Sequence, residues 1–152
     1  MHRLVVAVMF ATIALAGAAR PIHAQTTQPT ADTAAAVQAA QAAGEAWLAL
    51  FVEGKAKETW AETSKHFQAA VPEGAWAQQV AALRTQLGTF GNRTLQEARY
   101  ATDVPNAPPG EYVALIYQSE FANLPSAREV VSLTLEDGHW KVIGYFVQPA
   151  GV

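Results

Sequence analysis

From Ala34 to Val52 the positions Val37, Ala40, Gly44, Trp47, Leu48 and Phe51 recur in steps of three and four, the stripe of an amphipathic helix. Asp32 or Thr33 can cap its start, and Gly54 stops it. The spacing predicts a second helix from about Lys55 to Ala69, with Trp60 and Phe67 on one side. Val71-Pro72 then breaks the chain. A third helix runs from about Glu73 to Leu87, its stripe Trp76, Val80, Leu83 and Leu87, and Gly88 ends it as a C-cap.

After Gly91 the period drops from the helical value to that of strands. Asn92 to Thr102 has the polar alternation of a strand near an edge, and Val104 to Gly110 (VPNAPPG) is too rich in proline to be anything but a loop. Glu111 to Ala122 puts Val113, Leu115, Tyr117 and Phe121 on one face, and Arg128 to Glu136 does the same for Val131, Leu133 and Leu135. Asp137-Gly138 is a strong hairpin signal. In the last strand, His139 to Gln148, strict alternation sets Trp140, Val142 and Phe146 on one face and Ile143, Tyr145 and Val147 on the other. On that phase Trp140 and Tyr145 do not line one cavity from the same side. Three helices followed by four strands predict a single α+β domain over residues 34–152, the helices packed on one face of an antiparallel meander.

The beginning of the chain has a different character. His2 and Arg3 precede an uncharged apolar run from Leu4 to Ala19, and Arg20, Pro21 and an Ile22-His23-Ala24 exit follow. That order describes a secretory signal peptide spanning residues 1–24, cleaved after Ala24. The apolar run is short for a membrane anchor. Gln25 to Thr33 is polar and without period, a flexible lead-in. The expected product is therefore periplasmic or secreted, with no stable membrane anchor.

Composition narrows the chemistry. A chain of 152 residues has room for one core, and 51% hydrophobic residues against 15% charged exclude disorder as a description of the whole. The formal net charge is −3, and losing Arg3 and Arg20 with the leader makes the remainder more acidic. Nucleic acid is thereby an unfavourable partner. The absence of cysteine removes disulfides, thiolate metal sites and thiol nucleophiles. Only His66 and His139 remain beyond the leader, without metal-ligand spacing, and no nucleophile elbow or glycine-rich phosphate loop is present. His139 reads as a surface residue after its turn, and His66 as a cation at the end of the second helix. No catalytic residue, metal or cofactor is assigned.

Two charges fall on apolar faces. Arg84 follows Val80 by four residues, and Glu129 is in phase with Val131 and Leu133. A charge buried alone costs several kcal/mol or about that order, so a mutual Arg84–Glu129 ion pair between helix and sheet is expected, with a ligand-facing pocket wall as the alternative. Arg93 is a third candidate. The four tryptophans read mainly as core, Trp60 included, while Tyr117 and Tyr145 offer hydroxyls to an apolar pocket. The pocket candidates are thus Arg84, Arg93, Tyr117, Glu129, Tyr145 and Trp60.

The run AWLALFVEGKAKETWAETSKHF, the W-x-x-x-V-x-x-L-R-x-x-L-G segment from Trp76 to Gly88 and the Asn92-Arg93 step resemble the DUF4019 family of bacterial secreted proteins. PPGEYVALIYQSEFAN, Glu129 with its valines and the closing HWKVIGYFV carry the same resemblance. It implies a curved-sheet, NTF2-like cone and no defined activity. This chain has Val52 and Ala56 where the pattern leads one to expect an Asp and a Tyr. The expected role is a non-catalytic binding or interaction module for a small molecule or protein. A small isomerase or hydrolase with a polar pocket in the cone, and a structural or oligomerisation role with a homodimer among its forms, are the alternatives.

Overall fold

The computed structural model describes residues 31–151. The expected signal peptide, its cleavage site and the first part of the lead-in lie outside the described residues. Four helices precede four strands: α1 (Ala31–Glu53), α2 (Ala56–Ala61), α3 (Lys65–Ala70), α4 (Glu73–Leu87), β1 (Phe90–Ala101), β2 (Tyr112–Phe121), β3 (Leu124–Glu136) and β4 (His139–Pro149). The strands form one antiparallel sheet in the order β1-β2-β3-β4. Asp32 and Thr33, expected outside the first helix, lie in its first turn. None of the described helices is long and apolar enough to cross a membrane.

The expected second helix is two helices, which corrects the count from three to four. Its interior holds Thr63-Ser64, and both residues find better partners than a continuing helix offers. Ser64 caps α3 by accepting the Phe67 N–H at 3.1 Å. The Thr63 hydroxyl donates to the Trp60 carbonyl at 2.6 Å. The freed backbone docks on β4, where Ser64 N–H donates to Val142 O at 2.9 Å and Val142 N–H to Glu62 O at 3.1 Å. This break also moves His66 to the start of α3 rather than the end of a long helix, so the dipole role expected for it fails. His139 is exposed beside its turn as expected.

The meander follows from its turns. Asp137 and Gly138 both have positive φ, 52° and 79°, the backbone of a tight two-residue hairpin that matches strand twist. The Ala122-Asn123 turn is tied to the end of α4: Asn123 N–H donates to Leu87 O at 2.9 Å and Ala122 N–H to Thr89 O at 2.9 Å. The helices cover one sheet face. Trp47, Leu48 and Phe51 of α1 and Trp76, Val80, Leu83 and Leu87 of α4 meet Val113, Leu115, Val131 and Leu133 of the sheet, all buried. Side chains of this size contribute roughly 1.5–3 kcal/mol each when fully buried. Thr59 ties the layer together. Trp76 donates its indole N–H to the Thr59 hydroxyl at 3.0 Å, and Trp47 donates to the Thr59 carbonyl at 2.9 Å.

The sheet has four register shifts, one of them between Ser119 and Phe121 at the β2–β3 turn, and the other three set which side chains face the helices. The β1–β2 register shifts between Phe90 and Asn92 and again between Leu95 and Glu97, and the β3–β4 register shifts so that Ser132 faces Gly144 while Leu133 faces Val142. Ile143 is therefore an extra residue on β4, a bulge. It resets the phase: Val142, Tyr145 and Val147 are all buried in the core, and Trp140 packs against it. Strict alternation had put Tyr145 opposite Trp140 and Val142, and the bulge overturns that expectation.

Candidate functional site

The register brings one acidic residue to the middle of the buried sheet face. Glu129 pairs with Tyr117 on one side and Val147 on the other, with Arg93–Ser119–Ala127 one step along and Leu115–Val131–Tyr145 on the opposite step. The Gly91 bulge lets Phe90 and Arg93, three residues apart, share this inner face. Arg93 then reaches Glu129 with two parallel bonds, Nε to Oε2 at 2.7 Å and Nη2 to Oε1 at 2.9 Å. The Ser119 hydroxyl donates to Oε2 at 2.6 Å, and the Tyr145 hydroxyl donates to Oε1 at 2.5 Å.

Each carboxylate oxygen thus accepts two donors, and the Glu129 side chain has 0% exposure against 13% for Arg93. This is what a buried carboxylate needs: a bidentate cation and full satisfaction of its lone pairs. The guanidinium also lies 4.5 Å from the Phe90 ring centre. Tyr145 is wedged between Trp47 and Phe51, at ring separations of 5.1 and 4.8 Å. Burial raises the Tyr145 hydroxyl well above its ordinary range, and the Glu129 charge and hydrogen bond push the same way. It is a donor fixed in its protonated form.

Tyr117, beside this cluster, is 2% exposed, yet its hydroxyl has no hydrogen-bond partner among the described residues. Burial, followed by the negative charge of Glu45, pushes its pKa up to about 12. Such a group is a standing cost to the fold.

Arg84 corrects the expected ion pair. It is exposed, and its Nη2 donates to the Val52 carbonyl at 2.8 Å rather than to Glu129. The α4 stripe that reaches the core is Trp76, Val80, Leu83 and Leu87. Arg84 lies on the flank of that stripe, where it meets the C-terminal end of α1, a favourable place for a cation. Gly54 makes the approach feasible. Its φ is 77°, and a Cβ there would fall 2.5 Å from Arg84 Nη1 and 2.9 Å from Cζ.

Arg84 opens on a cleft of about 570 Å³ between the end of α1, α4 and the β1–β2 edge. Phe51, Leu87, Phe90 and Phe121 form its floor, and Arg84, Thr85 and Thr89 its rim. Among the described residues no acidic one lines it. Phe51 links it to the Glu129 cluster through Tyr145, and Phe90 does so through Arg93. A second cleft of about 300 Å³ lies between α3 and the proline loop, with Phe67, Pro108, Tyr112 and Ile143 among its walls.

Of the six sequence candidates, the structure gathers Arg93, Tyr117, Glu129 and Tyr145 around one carboxylate and leaves two apart. Arg84 serves the cleft, and Trp60 is a half-buried clamp whose indole N–H donates to Val71 O at 2.7 Å. Sequence reasoning missed Ser119, although its signal was present in the phase it shares with Leu115, Tyr117 and Phe121. It also missed Phe90 and Phe121 as a cleft floor. Among the described residues no group of three His, Cys, Asp or Glu comes together to hold a metal.

No curated protein matches this chain significantly. A family model does, that of DUF4019, described as a protein of unknown function, over residues 43–145. The match takes in α1 from its middle, all of α2, α3 and α4, and the sheet as far as Tyr145. It therefore includes every residue of the Glu129 cluster and of the cleft. The chain belongs to the DUF4019 family.

Proposed function

We propose that this protein is a secreted, periplasmic, non-catalytic binding module, exported by the leader that ends at Ala24, with its sheet as the wall of an NTF2-like cone. The observation that carries this reading is the division of labour around Phe51. The one buried acid among the described residues, Glu129, spends all its acceptor capacity on Arg93, Ser119 and Tyr145 and has no exposure. A general acid or base needs a free, reachable lone pair or proton. The adjacent cleft has the opposite character, open and of the size of small-molecule sites. A rigid closed network behind an open cleft suits holding a ligand rather than transforming it.

Native mass spectrometry of protein isolated from the periplasm tests this. The expected species begins at Gln25 and carries a non-covalent small-molecule adduct. A Thr85→Trp variant, which fills the cleft rim, loses the adduct. A bare chain in both proteins overturns the binding reading, and a chain retaining Met1 overturns the export reading.

A further inference from the structure

We propose that the Arg84 cleft selects an organic anion, a carboxylate on an apolar body, as its occupant. This rests on the binding-module reading and specifies its ligand class. Among the described residues Arg84 is the only charged one lining the cleft, and it has no ion-pair partner. Guanidinium carries five N–H donors, and the Val52 carbonyl takes one of them. The rest of the fork is unspent.

Its position is held by the C-terminal end of α1. The Val52 carbonyl fixes Nη2, and the group lies against Gly54, so close that any Cβ there would displace it. The arrangement presents a planar donor fork to the cleft without a carboxylate of the protein's own, which is the geometry that recognises carboxylates bidentately.

A solvent-exposed pair of this kind gains little from charge alone. Retention has to come from the phenylalanine rings that line the cleft, half-buried Phe90 with buried Phe51 and Phe121. Phe90 and Phe121 meet edge to face, at 5.7 Å between centres. An apolar body over these rings supplies the affinity, and Arg84 supplies the sign of the head group. An inorganic anion would use only the second, and a neutral amphiphile only the first.

Octanoate, octanol, octylammonium and sulfate are the probes, with the protein's tryptophan fluorescence and titration calorimetry as readouts. Trp47 stacks on Phe51 at 5.9 Å, so a ligand on that floor is expected to change its emission. Octanoate is expected to bind at one site, about tenfold or more tighter than octanol, with octylammonium and sulfate silent. In Arg84→Met that preference disappears and octanoate falls to the level of octanol. Gly54→Ala, which displaces the guanidinium while keeping it, is expected to lose the same preference. Near-ultraviolet circular dichroism checks that each variant is folded, and Arg84→Met alone suffices if Gly54→Ala is not. Equal binding of octanoate and octanol overturns the anion selection while leaving the binding module intact. Failure of octanoate to bind, a preference that survives Arg84→Met, or sulfate binding as tightly as octanoate also overturns it. A bare chain in the mass spectrum would instead remove the module itself.

Discussion

Arg93 and Arg84 both sit where the helix layer meets the sheet, and they dispose of their charge in opposite ways. Arg93 is drawn under the helices, meets a carboxylate with two bonds and stacks on Phe90. Arg84 stays at the surface, meets only a backbone carbonyl and faces a cleft. The first arrangement is complete without any other molecule. The second leaves donors over. A saturated ion pair in low dielectric fixes register and rigidity, whereas an unsaturated cation over apolar rings is a place where something else can bind.

The comparison breaks most readily at Glu129. Removing one partner of a buried pair strands the other, at roughly 3–5 kcal/mol. Arg93→Met and Glu129→Gln should each lower the unfolding free energy by that margin, read as a fall in the urea midpoint. The double variant Arg93→Met with Glu129→Gln should recover part of the loss, with a coupling on the order of 1 kcal/mol or more. Single variants that unfold at the wild-type midpoint would show that the pair is solvated and would erase the contrast with Arg84.

A smaller effect is expected at Gly54, which serves the Arg84 side. A side chain at φ 77° costs about 1–2 kcal/mol on backbone grounds alone. Gly54→Ala should lower stability by about that much in urea unfolding. It should do so almost equally in an Arg84→Met background, because the guanidinium is the movable end of a flexible chain. A cost that vanishes in that background would mean the loss comes from crowding Arg84 rather than from the backbone.

Much of this was legible in the chain. The stripes of α1 and α4, the Asp137-Gly138 hairpin and the antiparallel meander follow from local pattern, and so does the burial of Glu129, because β3 runs without a bulge from Ala127 to Leu133. What was not legible depends on one-residue slips. The bulges at Gly91 and Ile143 have no strong signature of their own, yet they decide that Arg93 shares a face with Phe90 and that Tyr145 points inward. With Tyr145 set on the face opposite Val142 and Arg93 only a third candidate on a strand near an edge, the expected partner of Glu129 was a cation from a helix, Arg84. The Thr63-Ser64 break was hidden for another reason: its partner is the Val142 backbone, remote in sequence.

Tyr117 tests how complete the buried region is. Its hydroxyl has no partner among the described residues, so Tyr117→Phe should raise stability by about 1 kcal/mol. The pH dependence follows from its shift. The folded form holds its proton up to about 12, while an unfolded tyrosine loses it near 10 or about that value. The unfolded chain therefore binds fewer protons in that interval, and the contribution present below about pH 10 is lost as pH rises toward 12. Tyr145, also raised, acts in the same direction. Urea titrations from pH 9 to 11 should show a shallower alkaline decline for Tyr117→Phe than for the wild type, where about 10 is the turning point. An unchanged slope would mean that the hydroxyl is solvated or partnered.

The smallest effect is expected at Arg84 itself. An exposed cation at a helix C-terminus contributes about 0.3–1 kcal/mol, so Arg84→Met should move the urea midpoint only slightly. That smallness separates the two arginines: equal chemistry, removed from the two places, should differ severalfold in its cost. A cycle between Arg84→Met and Glu129→Gln sharpens the point. The two residues share no hydrogen-bond partner, so their effects should add to within about 0.5 kcal/mol. Measurable coupling would restore the direct helix-to-sheet pair and remove the reason for regarding Arg84 as a cation held for a ligand. Additivity together with loss of the octanoate-over-octanol preference in Arg84→Met would place its value in recognition rather than in the fold.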